Sequence, residues 1–256
     1  MTRPDDAYIA LAIRLATRAG EVLTTQRMGG FEMKADGSPV TALDREVETA
    51  LRAEIAHAAP DHGVIGEEQG AERPDRDWVW ILDPIDGTRQ FAAGLPNFGV
   101  LIALCHLGRP VIGVIANPLI GLTCIGVAGQ GTTLNGRRIE TGSASRPEEA
   151  IACLSDPDAF DDQTRPGFEA IRAASLWNVY DGGCLGHAAL AQGRLGIALS
   201  GPNLEPFDIA ALIPIVDGAG GVISDWRGNA LDAASAGAVV ATANPRLHDR
   251  VLSLLA

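Results

Sequence analysis

The chain has 256 residues, 46 % hydrophobic and 20 % charged, with a formal net charge of −12. That length allows one large domain or two smaller halves sharing a core. The acidic balance argues against a basic nucleic-acid-binding surface, and no apolar run reaches the ~20 residues of a membrane helix.

Taken in order, apolar residues at helical spacing (Ile9, Ile13, Ala16, Ala19, Leu23) predict a long amphipathic helix over 5–27. A short strand over 31–34 and the loop "ADGSPV" follow. A second helix is expected over 42–59. It opens at Thr41, with Asp44 three residues on as in a capping box. A strand over 64–66 ends in Glu67 and Glu68, and another strand covers 78–83. Residues 97–141 read as an antiparallel meander: runs at 98–106 and 109–117 joined at Leu107-Gly108, then 122–129 and 131–139 with Asn135-Gly136 as a turn. Beyond that, short strands near 151–154, 176–180, 195–199, 221–224 and 238–242 alternate with helices near 164–174, 184–192, 207–218 and 246–255, an α/β pattern. A soft boundary near 142–148 divides an N-terminal α+β half, 1–145, from a C-terminal α/β half, 146–256.

Cys105, Cys124, Cys153 and Cys184 form no CxxC pair and are expected as buried small hydrophobes. The five histidines show no HExxH spacing, so zinc has no support. With no basic-then-apolar leader at the N-terminus, a soluble cytoplasmic protein is expected. Lys34 is the sole lysine beside nineteen arginines.

The chemistry concentrates in "WILDPIDGTRQF", 80–91. Trp80 to Leu82 read as the end of a buried strand, and Asp83 and Asp86 flank Pro84 immediately after it. Proline restricts the backbone, so both carboxylates are expected to emerge from one tight turn. Crowded carboxylates raise each other's pKa and resist joint ionisation. Arg89 is the nearest cation in sequence. A hard divalent cation with oxygen ligands relieves the repulsion, and Mg²⁺ does so where a substrate phosphate completes its shell. Gly87 lets a ligand approach the backbone, and the helix start at Thr88 offers N–H groups to an anion. Carboxylates beside such N–H groups point to metal-assisted hydrolysis of a phosphate ester. The haloacid-dehalogenase pattern DxDGT is disfavoured, because the residue two before Asp86 is Pro84. Asp44 and Asp208, taken singly, read as helix-start caps.

Together with "DPIDGT" at 83–88, "GEE" at 66–68, "KADGSPVTALDREVE" at 34–48 and "PFDIAALIPIVDGAGG" at 206–221 make the chain resemble the inositol monophosphatase superfamily of Mg²⁺-dependent, lithium-sensitive phosphatases over essentially its whole length. "DGTRQFAAGLPNFGVLIAL" is most similar to the histidinol-phosphate phosphatase branch. The resemblance implies an α–β–α–β–α layered sandwich of the inositol monophosphatase and fructose-1,6-bisphosphatase type, and a homodimer. It makes Glu67, Asp83 and the Ile85 carbonyl ligands of one Mg²⁺, and Asp83, Asp86 and Asp208 ligands of a second. Glu67 also contributes to a weaker third. Thr88 and Asp44 orient the attacking water, and Gly87 and Thr88 N–H groups bind phosphate. Glu68 and Lys34 lie behind the ligands. Asp86, Asp181, Gly182, Gly183, Ser200 and Asp208 border the substrate.

Departures from the branch cluster where the substrate's alcohol sits. Ser200 falls where relatives carry an acid, "DGGCLGH" at 181–187 replaces a G-D-C-Y-like stretch, and "ANPLIGLTC" at 116–124 lacks the branch's acidic and Arg-Trp features. Inositol, histidinol and other sugar or polyol phosphates all stay open as substrates, and Asp181 or Glu205 could replace the missing acid. His187 and Phe207 are read as core or helix-face residues. Two alternatives remain: a phosphate-binding regulatory protein of the same fold, and an adenosine 3',5'-bisphosphate phosphatase.

Overall fold

The computed structural model describes residues 4–25, 30–34 and 39–256. The first helix, α1 (Asp6–Thr25), is followed by strands β1 (Phe31–Met33) and β2 (Pro39–Thr41), which pair antiparallel, and by α2 (Ala42–Ala58). Next come β3 (Gly63–Gly66), β4 (Gly70–Glu72), β5 (Trp78–Asp86), the short α3 (Thr88–Ala92), β6 (Gly99–His106), β7 (Arg109–Asn117), β8 (Leu122–Val127), β9 (Gly131–Leu134) and β10 (Arg137–Ile139). The remainder runs β11 (Ile151–Leu154), α4 (Arg165–Ala174), β12 (Trp177–Tyr180), α5 (Gly183–Ala191), β13 (Ile197–Leu199), α6 (Pro206–Ile209), α7 (Leu212–Gly218), β14 (Val222–Asp225), β15 (Val239–Thr242) and α8 (Pro245–Leu255).

Eight strands form one sheet in the order β10-β9-β8-β7-β6-β5-β3-β4, and five form another in the order β12-β11-β13-β15-β14. The two-residue period of β5 divides its side chains between two cores. Trp80 and Leu82 face α1 and α2, where Leu11, Leu15, Val47 and Leu51 are buried. Val79 and Ile81 face the opposite way, toward Ala188 of α5 and Ile209, Ile215 and Val216 of α6 and α7. That middle core also takes Ala198, Val239 and Ala241 from the five-stranded sheet. The far face of this sheet buries Leu154, Ile197 and Val240 against Phe168 of α4 and Leu247 and Val251 of α8. The result is the expected α–β–α–β–α order. Each fully buried leucine or isoleucine contributes roughly 1.5–3 kcal/mol, so the three cores hold the layers in register.

Several elements differ from expectation. The strand predicted over 78–83 runs on to Asp86. Asp83 and Asp86 therefore do not leave a tight turn: they sit at the end of β5, three residues apart opposite Leu101 and Gly99 of β6, which are two apart. This is a β-bulge, and bulges re-aim side chains and tolerate a proline that cannot donate to the ladder. The helix predicted over 207–218 is two helices. Pro214 lacks the N–H that would bond Ala210, and its ring crowds that carbonyl, so the helix breaks between Ile209 and Leu212. Strands β2 and β4 were not anticipated. Residues 26–27 of the first predicted helix, and most of the "ADGSPV" loop, lie outside the described residues. The four cysteines are free and buried, as read. Among the described residues no helix is long and apolar enough to cross a membrane.

Candidate active site

Three segments bring carboxylates to one end of the middle core: the β5 bulge, the turn after β3, and α6. Oxygens of Asp83, Asp86 and Asp208 all lie within 4.8 Å of one another. Asp83 is 1 % exposed, and its Oδ1 accepts the Ile85 amide at 3.0 Å. Asp86 Oδ2 accepts the Cys184 amide at 2.7 Å. Asp208 sits at the third position of α6, its Oδ2 accepting the Glu205 amide at 2.7 Å.

The electrostatic cost is visible in the proton equilibria. Burial, then Glu67, Asp208 and Asp86, push the Asp83 carboxyl well above its usual value. Burial, then Asp86, push Asp208 up to about 8 despite the opposing hydrogen bond from Glu205. Among the described residues none of the three carboxylates has an ion-pair partner.

Glu67 and Glu68 lie in the turn between β3 and β4. Lys34 reaches both, its Nζ 2.8 Å from Glu67 Oε1 and 2.5 Å from Glu68 Oε1. Burial opposes the Lys34 charge, but the hydrogen bonds it donates to the two glutamates, with their negative charge, outweigh it and raise its pKa. Burial is also the leading reason that the Glu68 carboxyl is raised.

Asp44 is fully buried at the start of α2. Its Oδ2 accepts the Thr41 amide at 2.8 Å and the Thr41 hydroxyl at 2.6 Å, realising the expected cap. Its Oδ1 lies 3.4 Å from Thr88 Oγ1, which is nearer the Ile85 carbonyl oxygen, at 2.9 Å. Gly87 takes φ 88°, a left-handed value that favours glycine, and a Cβ there would come 3.1 Å from the Asn97 carbonyl. It opens α3, whose first amides have no intrahelical acceptor.

A cavity of about 320 Å³ is lined by Glu67, Asp86, Gly87, Thr88 and Asp208 together with Asp181, Gly183, Ser200 and Asn203. Gly183 has φ 48°, and a Cβ there would stand 2.8 Å from Asp86 Oδ2. The Gln90 amide donates to the Asp181 carboxylate, and Asn97 Nδ2 to the Asp181 carbonyl at 3.2 Å. Gly182 is turned instead toward Cys153, and Glu205 is an exposed helix cap; neither lines the cavity. His187 is 3 % exposed, as a core reading requires, yet it also borders the cavity.

A profile of the inositol monophosphatase family matches residues 5–256. The chain belongs to this family. It is 35 % identical to the histidinol-phosphatase of Mycobacterium tuberculosis over 98 % of each chain. It is also 35 % identical to a chloroplastic bifunctional phosphatase of Arabidopsis thaliana, over 98 % of this chain and 75 % of that one. An inositol monophosphatase from Zymomonas mobilis superposes with a TM-score of 0.89 at 36 % identity, covering 98 % of each chain. The protein is accordingly a phosphomonoesterase of the inositol monophosphatase family.

Some residues of this family member's site were not singled out in the sequence. Asp156 borders the cavity just after β11, 4.0 Å from Arg89, and its Oδ1 accepts the Asp158 amide. The Asp-Pro-Asp spelling marks a cap, but only the fold brings it opposite α3. Glu48 is fully buried on α2 and accepts the Glu68 amide at 2.8 Å. Its signal was a carboxylate four residues after Asp44, on the helix face that carries Leu43, Val47 and Leu51.

Proposed function

We propose that the chain is an Mg²⁺-dependent phosphomonoesterase that hydrolyses a small polyol, sugar or amino-alcohol phosphate by direct attack of water. The observation that carries this reading is the meeting of Asp83, Asp86 and Asp208 within 4.8 Å, the first buried and the other two half-buried, without a cationic partner among the described residues. An all-oxygen, all-anionic donor set suits a hard divalent cation.

In this reading Glu67, Asp83 and the Ile85 carbonyl hold one ion, Asp83, Asp86 and Asp208 a second, and Glu67 helps with a weaker third. When bound, Mg²⁺ supplies Lewis-acid activation of water and neutralises phosphoryl and leaving-group charge. The protein supplies orientation. Asp44 has one oxygen committed to Thr41, so only Oδ1 is free to receive the Thr88 hydroxyl proton. Once Thr88 turns from Ile85 toward Asp44, its lone pair can accept from the attacking water. The Gly87 and Thr88 amides stabilise phosphoryl oxygens. Lys34 and Glu68 brace Glu67 from behind. No covalent enzyme intermediate is required.

Asp86, Asp181, Gly183, Ser200 and Asp208 border the alcohol, with Gly182 acting through Gly183. Arg89 is the only lysine or arginine among the described lining residues, and Asp156 stands beside it. That charge balance favours a single phosphate over an adenosine 3',5'-bisphosphate. We take the two halves meeting near 145 as the units that build the site, and a cytoplasmic homodimer as the working form. Exposed Trp177, Val179 and Tyr180 on the edge strand β12 support pairing of two copies.

The test is phosphate release with Mg²⁺ from histidinol phosphate, inositol phosphates, sugar phosphates and adenosine 3',5'-bisphosphate. Turnover of a small alcohol phosphate above the bisphosphate is expected. Binding without turnover of any of them would favour a regulatory protein.

A further inference from the structure

The turn carrying Glu67 is held from below by a carboxylate with no assigned role. Glu48 lies on α2 among Leu43, Val47, Leu51 and Ile55 and is 0 % exposed. A buried carboxylate is costly unless fully hydrogen-bonded. Its Oε2 accepts the Glu68 amide at 2.8 Å, and its Oε1 accepts the Gln69 amide at 3.1 Å and Arg52 Nε at 2.8 Å. Arg52 in turn donates to the Gly70 carbonyl, so the pair spans the whole β3–β4 turn. Glu67 itself is tied on its other side, its amide donating to the Leu82 carbonyl of β5 at 3.2 Å. Gly66 makes room for this arrangement: a Cβ there would lie 2.2 Å from Glu48 Oε1.

We propose that Glu48 is a positioning residue for Mg²⁺. Its carboxylate gathers the amides on the C-terminal side of Glu67 and so fixes where the Glu67 side chain stands relative to Asp83 and Asp86. The inference rests on Glu67 being a metal ligand, as read above. Glu48 touches neither ion nor substrate, so it acts on metal affinity before it acts on chemistry. Uncharged Gln at 48 keeps one acceptor but cannot serve two amides and Arg52 equally, and charged hydrogen bonds are the stronger class.

The test measures Mg²⁺ binding by calorimetry, unfolding temperature in chelator, and kcat at saturating Mg²⁺, on wild type, Glu48→Gln and Gly66→Ala. The second variant leaves Glu48 chemically intact and displaces its carboxylate, so the inference stays testable if one variant folds poorly. Both variants are expected to bind Mg²⁺ about tenfold more weakly, with kcat at saturating Mg²⁺ within a few-fold of wild type. Arg45→Gln, on the exposed face of the same helix, should leave binding unchanged. Wild-type Mg²⁺ affinity in both variants, with only a lower unfolding temperature, would overturn the proposal and leave Glu48 a structural residue. Failure of the wild type itself to bind Mg²⁺ would overturn the metal reading, and this inference with it.

Discussion

The amide of Cys184 donates to Asp86 Oδ2 at 2.7 Å, across 98 positions of sequence. The start of α5 thus clamps a carboxylate presented by the β5 bulge, and the hydrogen bond ties that helix to the end of the eight-stranded sheet at the site. Asp86→Asn can keep that bond through its amide oxygen while losing the charge. Metal-assisted charge stabilisation is worth several kcal/mol, so kcat at saturating Mg²⁺ should fall about a hundredfold or more. The metal-free variant should be as stable as wild type or more so, because a like charge beside Asp83 and Asp208 is gone. Steady-state kinetics and thermal melts in chelator check both halves; near wild-type turnover would remove Asp86 from the metal site.

Thr88 has one hydroxyl proton and two acceptors, the Ile85 carbonyl at 2.9 Å and Asp44 Oδ1 at 3.4 Å. Its assigned task is orientation rather than charge. Thr88→Ala should leave Mg²⁺ affinity nearly unchanged and lower kcat by ~10²–10⁴-fold, the usual range for groups that manage a proton. Lost Mg²⁺ binding in calorimetry, with kcat intact at high Mg²⁺, would make Thr88 a structural support instead.

Asp83 and Asp208 both have raised carboxyl pKa values, chiefly from burial, and Asp208 is pushed up to about 8 against the ordinary aspartate value of 3.8. An acid whose folded pKa lies above its unfolded one binds more protons when folded. Its stabilising contribution is therefore complete below about pH 4 and is lost as pH rises through about 8. In chelator, the unfolding temperature should fall between pH 5 and 8. Added Mg²⁺ should flatten that fall, since it favours the ionised carboxylates. A chelated protein that instead grows steadily more stable from pH 5 to 8 would show that the carboxylates are not crowded.

Ser200 is 7 % exposed and borders the cavity, while Asp181 is engaged by Gln90. A serine cannot ion-pair with the amine of histidinol phosphate. A lost charged contact costs roughly 1.5–3 kcal/mol, or about ten- to hundredfold in affinity. Ser200→Glu should raise kcat/KM for histidinol phosphate more than for a neutral sugar phosphate. Histidinol phosphate as the best wild-type substrate, with no selective effect of Ser200→Glu, would move the amine site elsewhere, with Asp156 and Asp181 the other acids of the C-terminal half on the cavity apart from Asp208.

Periodicity was enough to read most helices and strands, and spacing enough to read the carboxylates, because both are local; the layer order was legible only as what the family resemblance implies. Asp44 could be placed as a cap from Thr41 alone, and Asp83 and Asp86 could be recognised as costly from their separation. The bulge could not be read, since it is a mismatch between β5 and β6, and β6 lies a dozen residues further on. The break before α7 was written in Pro214, but the apolar run around it masked the lost hydrogen bond. Glu48 and Asp156 were hidden for a different reason. An isolated acid on a helix or after a strand is ordinarily solvated, and only the packed β3–β4 turn and the cavity wall show otherwise.

The most direct test of the metal-dependent phosphatase reading is phosphate release by chelator-treated protein before and after Mg²⁺ is restored. Turnover of a small alcohol phosphate should be abolished by the chelator and return with Mg²⁺ but not with added Na⁺ or K⁺. Undiminished turnover in excess chelator would contradict the assignment of Asp83, Asp86 and Asp208 to a catalytic cation.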